Sequence, residues 1–205
     1  MSNDRKAHWE NVYSTRRPHE VGWYQAYPEI PLHLIASTGV GRNAAIIDVG
    51  GGASNLVDAL LENGYSDVTV LDLSSAALEA AKARLGQASS QVKWLADDIT
   101  CFTPPRQYDV WHDRAVFHFL TEAADRQRYM EAARAALPPG GHLIMATFAL
   151  DGPSQCSGLD VVRYSPESLR REAGAGFTLA ESFGGLHITP SQGKQSYTFC
   201  RFIRK

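Results

Sequence analysis

No stretch of this 205-residue chain approaches the ~20 consecutive apolar residues of a membrane-spanning helix. The opening residues, Met1 to Glu10, are polar and charged, unlike a secretory leader. Cysteine is sparse. Cys101, Cys156 and Cys200 are odd in number and far apart, so they offer neither a disulfide framework nor metal-ligand spacing. These absences predict a cytoplasmic protein with no membrane partner and no metal. An excess of positive charge is also missing: the formal net charge is −2, and the basic clusters Arg16-Arg17, Arg170-Arg171 and Arg201 with Arg204-Lys205 are short. No nucleic-acid partner is therefore expected, since one would need a basic face. What is left is an ordinary globular composition, 44% hydrophobic and 20% charged, with length enough for one domain and its core.

The most informative stretch runs from Ile46 to Ser54. An apolar run ends in Asp48, passes through Gly50-Gly51-Gly52 and reaches Ser54, a helix-cap residue, before the helically spaced Leu56, Leu60 and Leu61. That order reads as strand, tight turn and helix. A glycine turn at the carboxyl end of a parallel strand is where open α/β sheets bind nucleotide-like ligands, because glycine admits positive φ and close approach.

From there strand-like and helical runs alternate. Strands are expected over Ala45–Val49, Val68–Asp72, Val92–Ala96, Tyr108–His112, His142–Phe148, Phe177–Phe183 and Tyr197–Ile203. Helices are expected over Ser54–Asn63, Ser75–Leu85 and Glu122–Leu137, and after the cap Ser165-Pro166. Such alternation predicts an α/β fold, a mostly parallel seven-stranded sheet with helices on both faces. The final two strands are joined by Gly184 to Ser196, too short for a crossover helix, so the last strand should run antiparallel. Ahead of this core (45–205), residues 1–41 read as a small helical cap. Asn3 or Asp4 would cap a helix carrying Trp9 and Tyr13 on one face, and a second short helix would run from Pro28 through Ile35.

The dinucleotide fingerprint would put a third glycine at position 55, where this chain has Asn55. Downstream, Asp72 ends the second strand 20 residues past Gly52, and Asp97-Asp98-Ile99 ends the third. A carboxylate at the first place can accept both hydroxyls of a ribose, and one at the second can accept from an adenine amino group.

These residues carry a family resemblance. Asp48-Val49-Gly50-Gly51-Gly52, Leu71-Asp72, Asp98-Ile99 and Leu137-Pro138-Pro139-Gly140-Gly141 resemble the successive motifs of class I S-adenosylmethionine-dependent methyltransferases, which have a Rossmann-like fold. The stretch Tyr108 to Leu120, with Cys156 to Leu159 and Tyr197 to Phe202, is similar to the branch containing the citrate synthase lysine methyltransferase. The resemblance implies that S-adenosylmethionine is the cofactor. Gly50 and Gly52 would flank its methionine part, Asp72 would hold the ribose, and Asp98 and Ile99 the adenine, with Asp97 as rival to Asp98; Leu73, next to Asp72, is counted among the cofactor residues. Arg114 falls where relatives contact the cofactor. Trp9, Tyr13 and Trp23 match an aromatic trio that closes over it, and aromatic faces attract a sulfonium by roughly 0.5–2 kcal/mol each.

Methyl transfer is an in-line displacement that needs alignment and exclusion of water. A general base is needed only for an acceptor that arrives protonated. His112 and Asp113 are the candidates, expected at the cleft edge, whereas His118 between Phe117 and Phe119 reads as structural. The acceptor is a protein lysine by the nearest resemblance, with a small molecule as the alternative. A protein acceptor predicts an open cleft, and a small one predicts a pocket roofed by the N-terminal aromatics. Cys156, Arg163 and Tyr164, in the loop after the fifth strand, are acceptor-side candidates. A nicotinamide-dependent oxidoreductase would share the turn and Asp72 but would need a Tyr-x-x-x-Lys pair, which is missing. A cofactor-binding module without turnover is the further alternative.

Overall fold

The computed structural model describes residues 2–205, with side chains from Asp4 onward. Helix α1 (Ser2–Thr15) starts ahead of Asn3 and Asp4, so its cap lies outside the described residues. A 3-10 turn over Pro18–Glu20 leads to α2 (Glu29–Ala36). The core follows as β1 (Ala45–Val49), α3 (Leu56–Glu62), β2 (Asp67–Asp72), α4 (Ser75–Leu85), β3 (Val92–Ala96), β4 (Val110–Arg114), α5 (Ala123–Ala136) and β5 (His142–Phe148). A miniature hairpin of β6 (Gln155–Cys156) and β7 (Leu159–Asp160) comes next, then α6 (Pro166–Ala173), β8 (Phe177–Ile188) and β9 (Lys194–Arg204).

The main sheet has seven strands in the order β3-β2-β1-β4-β5-β9-β8, and only β9 runs against its neighbours. This is the Rossmann-like arrangement expected. β1 and β5 are buried along their whole length, as parallel strands covered on both faces must be. Alternation along β1 sends Ile46 toward α2 and α3, and Ala45, Ile47 and Val49 toward α5 and α6. Burying one such aliphatic side chain contributes roughly 1.5–3 kcal/mol before ordering costs. Strand order reverses between β1 and β4, which opens a crevice at their carboxyl ends.

Three departures from expectation exceed one residue. The fourth strand lies two residues later, because β4 is held in register with β1 from Ile46↔Val110 to Val49↔Asp113. The last hairpin is longer: Gly184 and Gly185 sit inside β8, paired with Thr198 and Tyr197. Gly185 is there because a Cβ would stand 2.7 Å from the Phe199 ring. Helix α3 begins at Leu56 rather than Ser54. Ser54 Oγ still accepts from the Leu56 N–H at 3.1 Å, while Asn55 donates to the Gln25 and Ala26 carbonyls and ties the cap segment to the turn.

Candidate active site

The glycine turn is shaped by the protein's own side chains. Gly50 has φ +70°, and a Cβ there would run into Val116. A Cβ on Gly51 would run into the Asp48 carboxylate, and one on Gly52 would crowd Asp72 and Ala77. The missing side chains thus make room for two buried acids under one turn. Asp72, 8% exposed, accepts from the Ser74 N–H at 2.8 Å and from the Gly52 N–H. Burial pushes its carboxyl up to about 7, helped by the nearby charges of Asp48 and Glu10 and opposed by those two hydrogen bonds.

Two cavities meet at this turn. The larger encloses about 820 Å³ of free space, its mouth included. Gly50, Asp72, Leu73, Asp97, Asp98, Ile99, Arg114, Trp9, Tyr13 and Trp23 all line it, so ten of the expected cofactor residues are brought together. Gly52 is the exception. It stays off the cavity wall and acts through Asp72, because the turn points its free side at that carboxylate. Asp98 is half-buried and holds Thr100 through its carboxylate, whereas Asp97 is exposed and accepts the Asp98 N–H.

The cap forms a roof. Trp9 packs edge-on against Trp23 and Phe119, with ring centroids 5.6 and 5.1 Å apart, and Trp23 Nε1 donates to Tyr13 Oη at 3.2 Å. Burial raises the Tyr13 phenol far above its usual range. Glu10 latches this roof onto the first turn of α4. Its carboxylate accepts from Ser74 Oγ (3.0 Å), Ser75 N (2.7 Å) and Ala76 N (3.0 Å), where a helix start favours an anion. Those contacts hold its pKa below the usual carboxylate range, against a burial effect of opposite sign. Arg114 Nη1 donates to the Trp23 carbonyl at 2.9 Å, and its Nη2 is buried without a partner.

The smaller cavity lies behind the turn, lined by Asp48, Gly51, Asn55, His112 and Arg114 among others. His112 Nδ1 stands 2.7 Å from Asp48 Oδ1 on the neighbouring strand, and Asp48 Oδ2 has no partner. His112 is therefore not at the edge of the main cleft.

Asp113 is a plainer correction. It points into the opposite layer, fully buried, accepting from Val116 N (2.9 Å), Phe117 N (3.1 Å) and Tyr129 Oη (2.6 Å). Burial pushes its carboxyl up to about 6, opposed by the Tyr129 hydrogen bond first. Its task is to fix the 3-10 turn Phe117–Phe119, which presents Val116, Phe119 and Leu120 to the cavity. His118 is structural, as expected. It is fully buried, accepts the Phe148 N–H on Nδ1, and burial pulls its pKa down to about 3. Of the acceptor-side candidates, Cys156 lines the main cavity, Arg163 is exposed, and Tyr164 packs against Phe117 in the opposite core.

Sequence reasoning missed Arg5, Glu10, Phe119 and the Asp48–His112 pair. Arg5 was within reach: positions 5, 9 and 13 share one helix face, and all three line the cavity. Glu10 carries no such signal, because its partner is a helix end 64 residues away.

A methyltransferase-domain family model matches residues 47–143. The ubiquinone biosynthesis O-methyltransferase of Coxiella burnetii is 28% identical over 134 residues, which is 61% of this chain and 56% of that protein. EEF1A lysine methyltransferase 2 of Danio rerio is 29% identical over 126 residues, 57% of this chain and 53% of that protein. The chain thus spans about half the length of the curated relatives it matches. Among solved structures, the 1,6-didemethyltoxoflavin-N1-methyltransferase of Burkholderia thailandensis, solved with bound 1,6-didemethyltoxoflavin and S-adenosylhomocysteine, superposes with a TM-score of 0.71. It is 20% identical, and the match covers 100% of this chain and 87% of that one.

Proposed function

We propose that this chain, which carries a class I methyltransferase domain with its family match over residues 47–143, transfers a methyl group from S-adenosylmethionine to a small-molecule nucleophile. One observation carries the donor: the glycine turn, Asp72 and the Asp97-Asp98-Ile99 segment, at the ends of three adjacent strands, face a single cavity. The residues fit that donor. Asp72 is a buried carboxylate held ready for a ribose diol, and Asp98, the more enclosed of its pair, suits the adenine amino group. Asp48 Oδ2, buried and unpartnered, offers a negative charge to the ammonium of an amino-acid tail. Bound there, S-adenosylmethionine supplies a methyl already activated on a sulfonium. The chain's own residues align the donor, exclude water and surround the cation with aromatic faces. Neither His112 nor Asp113 lines the larger cavity, so we assign neither the part of a base.

The aromatic roof supports a small acceptor, because a lysine on a protein surface would need an open approach. A protein lysine is the second reading. The zebrafish relative, whose name gives a lysine activity, and the sequence resemblance to the citrate synthase lysine methyltransferase branch favour it. Calorimetry tests the donor: micromolar binding of S-adenosylmethionine and S-adenosylhomocysteine, lost in Asp72→Ala, against no binding of a nicotinamide dinucleotide. Tighter dinucleotide binding would overturn the reading in favour of an oxidoreductase, and donor binding without turnover would leave a binding module. Incubation of labelled donor with a lysate separates the acceptors: label in the small-molecule fraction supports the first reading, and label in one protein band the second.

A further inference from the structure

We propose that the acceptor is a planar molecule, neutral or anionic at its reacting end, and that the site discriminates against ammonium-bearing acceptors. The inference rests on the methyltransferase reading above and narrows its substrate class.

Strand order lays the crevice out as a line, and its chemistry changes along that line. β3 and β2 end in Asp97, Asp98 and Asp72, and β1 carries Asp48. Past β1 the acids stop. The wall contributed by β4, β6 and the roof consists of Arg114, Phe119, Cys156, Trp9 and Trp23, with no carboxylate among the described residues that line it. The nearest acid in sequence, Asp113, is turned into the other layer and saturated with hydrogen bonds. With ribose and adenine on the acidic half, the acceptor has only the aromatic half.

That half is already cationic. Arg114 is a permanent charge whose guanidinium lies 5.1 Å from the Tyr197 ring centre, and Tyr197 Oη is buried without a partner. The donor's sulfonium is a second positive charge. An ammonium entering here would meet two like charges and no counter-charge in a partly desolvated site. A flat ring instead meets indole and phenyl faces at the offset and edge-on angles aromatic pairs prefer, and an oxyanion or thiolate would be drawn to Arg114. The proton balance agrees. The nucleophile's lone pair forms the new bond to carbon as the carbon–sulfur bond breaks and its electron pair passes to sulfur, which leaves as a neutral thioether. A phenolate, thiolate or ring nitrogen has no proton to lose at that moment. An ammonium must first lose one, and this wall offers no group to take it: the Cys156 thiol, pushed up to about 11 by burial, keeps its own proton.

The test uses the full chain, labelled donor and a fixed panel at pH 8: thiophenol, 4-nitrophenol and nicotinamide against butylamine and a lysine-containing peptide. Label should enter the aryl probes with kcat/KM at least about tenfold above either amine, the size of one weakly screened like-charge encounter. Equal or faster transfer to the amines overturns the proposal. Should nothing turn over, equilibrium binding of the same probes to the chain saturated with S-adenosylhomocysteine decides. Aryl binding without amine binding supports it; amine binding as tight, or binding of neither class, overturns it. Cys156→Asp places a carboxylate on this wall and should move the aryl-to-amine ratio at least about tenfold toward amines. An unchanged ratio in a variant that still binds donor also counts against it. Failure of the wild-type chain to bind donor refutes the functional reading itself and is seen first, by calorimetry.

Discussion

Asp72→Asn should stabilise the ligand-free protein at pH 8 while weakening its hold on the donor. The folded pKa of Asp72 is about 7 against an ordinary 3.8. Between those values the folded chain holds a proton that the unfolded chain has released, so stability falls as pH rises. The contribution is full below 3.8 and gone above about 7. A shift of about three units corresponds to roughly 4 kcal/mol as a ceiling. Asparagine removes that penalty but presents an amide N–H to a backbone donor, which costs about 1–3 kcal/mol. The net expectation at pH 8 is a gain of about 1–3 kcal/mol, or roughly 2–4 °C in Tm per kcal/mol for a chain of this size. Near pH 4, where little of that penalty has yet accrued, the lost hydrogen bond dominates and the variant should melt lower. Thermal melts from pH 4 to 8.5 should therefore cross. His118, pulled down to about 3, acts with the opposite sign below its ordinary 6.5, but it is present in both proteins and cancels in the difference. Donor affinity should drop by about 10–100-fold, since the ribose hydroxyls lose a charged acceptor. Parallel melting curves, or unchanged affinity, would refute the reasoning.

Three further outcomes follow from the same geometry. Glu10→Gln loses the charge that three donors at the α4 terminus hold, so S-adenosylhomocysteine should dissociate about 5–30-fold faster in stopped-flow tryptophan fluorescence; an unchanged rate would mean that α1 is no latch. Asp113→Asn should lower stability by about 2–4 kcal/mol in urea melts, yet leave donor affinity per folded molecule within about twofold, whereas a direct catalytic part predicts lost turnover in a stable protein. Ala115 sits in the cavity wall with φ +71°, a region that strains L side chains. Ala115→Gly should accordingly gain about 0.5–1 kcal/mol in the same melts, and a loss would argue that its methyl packs against something essential.

The fold was legible because its determinants are local. Periodicity, glycine stops and the Ser165-Pro166 start each act over a few residues, and the short last connection leaves only an antiparallel pair. The grouping of the residues proposed to hold the donor was legible for the same reason, since in a parallel sheet every strand end comes to the same edge. Asp72 and Asp98 needed no knowledge of packing to be placed side by side. Gly185 shows where this stops. A glycine pair reads as a loop until the Phe199 ring that requires it is in view, and that partner is on another strand.

His112 and Asp113 mark the same limit inside the site. Both were expected at the cleft, yet adjacent residues of a strand point to opposite faces, so at most one could be there. Alternation was enough to forbid the pair but not to choose between them, because the choice depends on register. Asp48↔His112 and Val49↔Asp113 are the pairings that decide it. They put His112 beside a buried acid on the α2 and α3 side and send Asp113 to Tyr129 on the other. The consequence reaches the chemistry. With Asp113 turned away, the carboxyl ends of β4 and β5 bring no acid to the cavity, and the acidic triplet that marks the donor half has no counterpart facing the acceptor. The glycine turn therefore divides a crevice whose two halves have opposite electrostatic character, and it is that division, more than any single side chain, that we propose selects the acceptor.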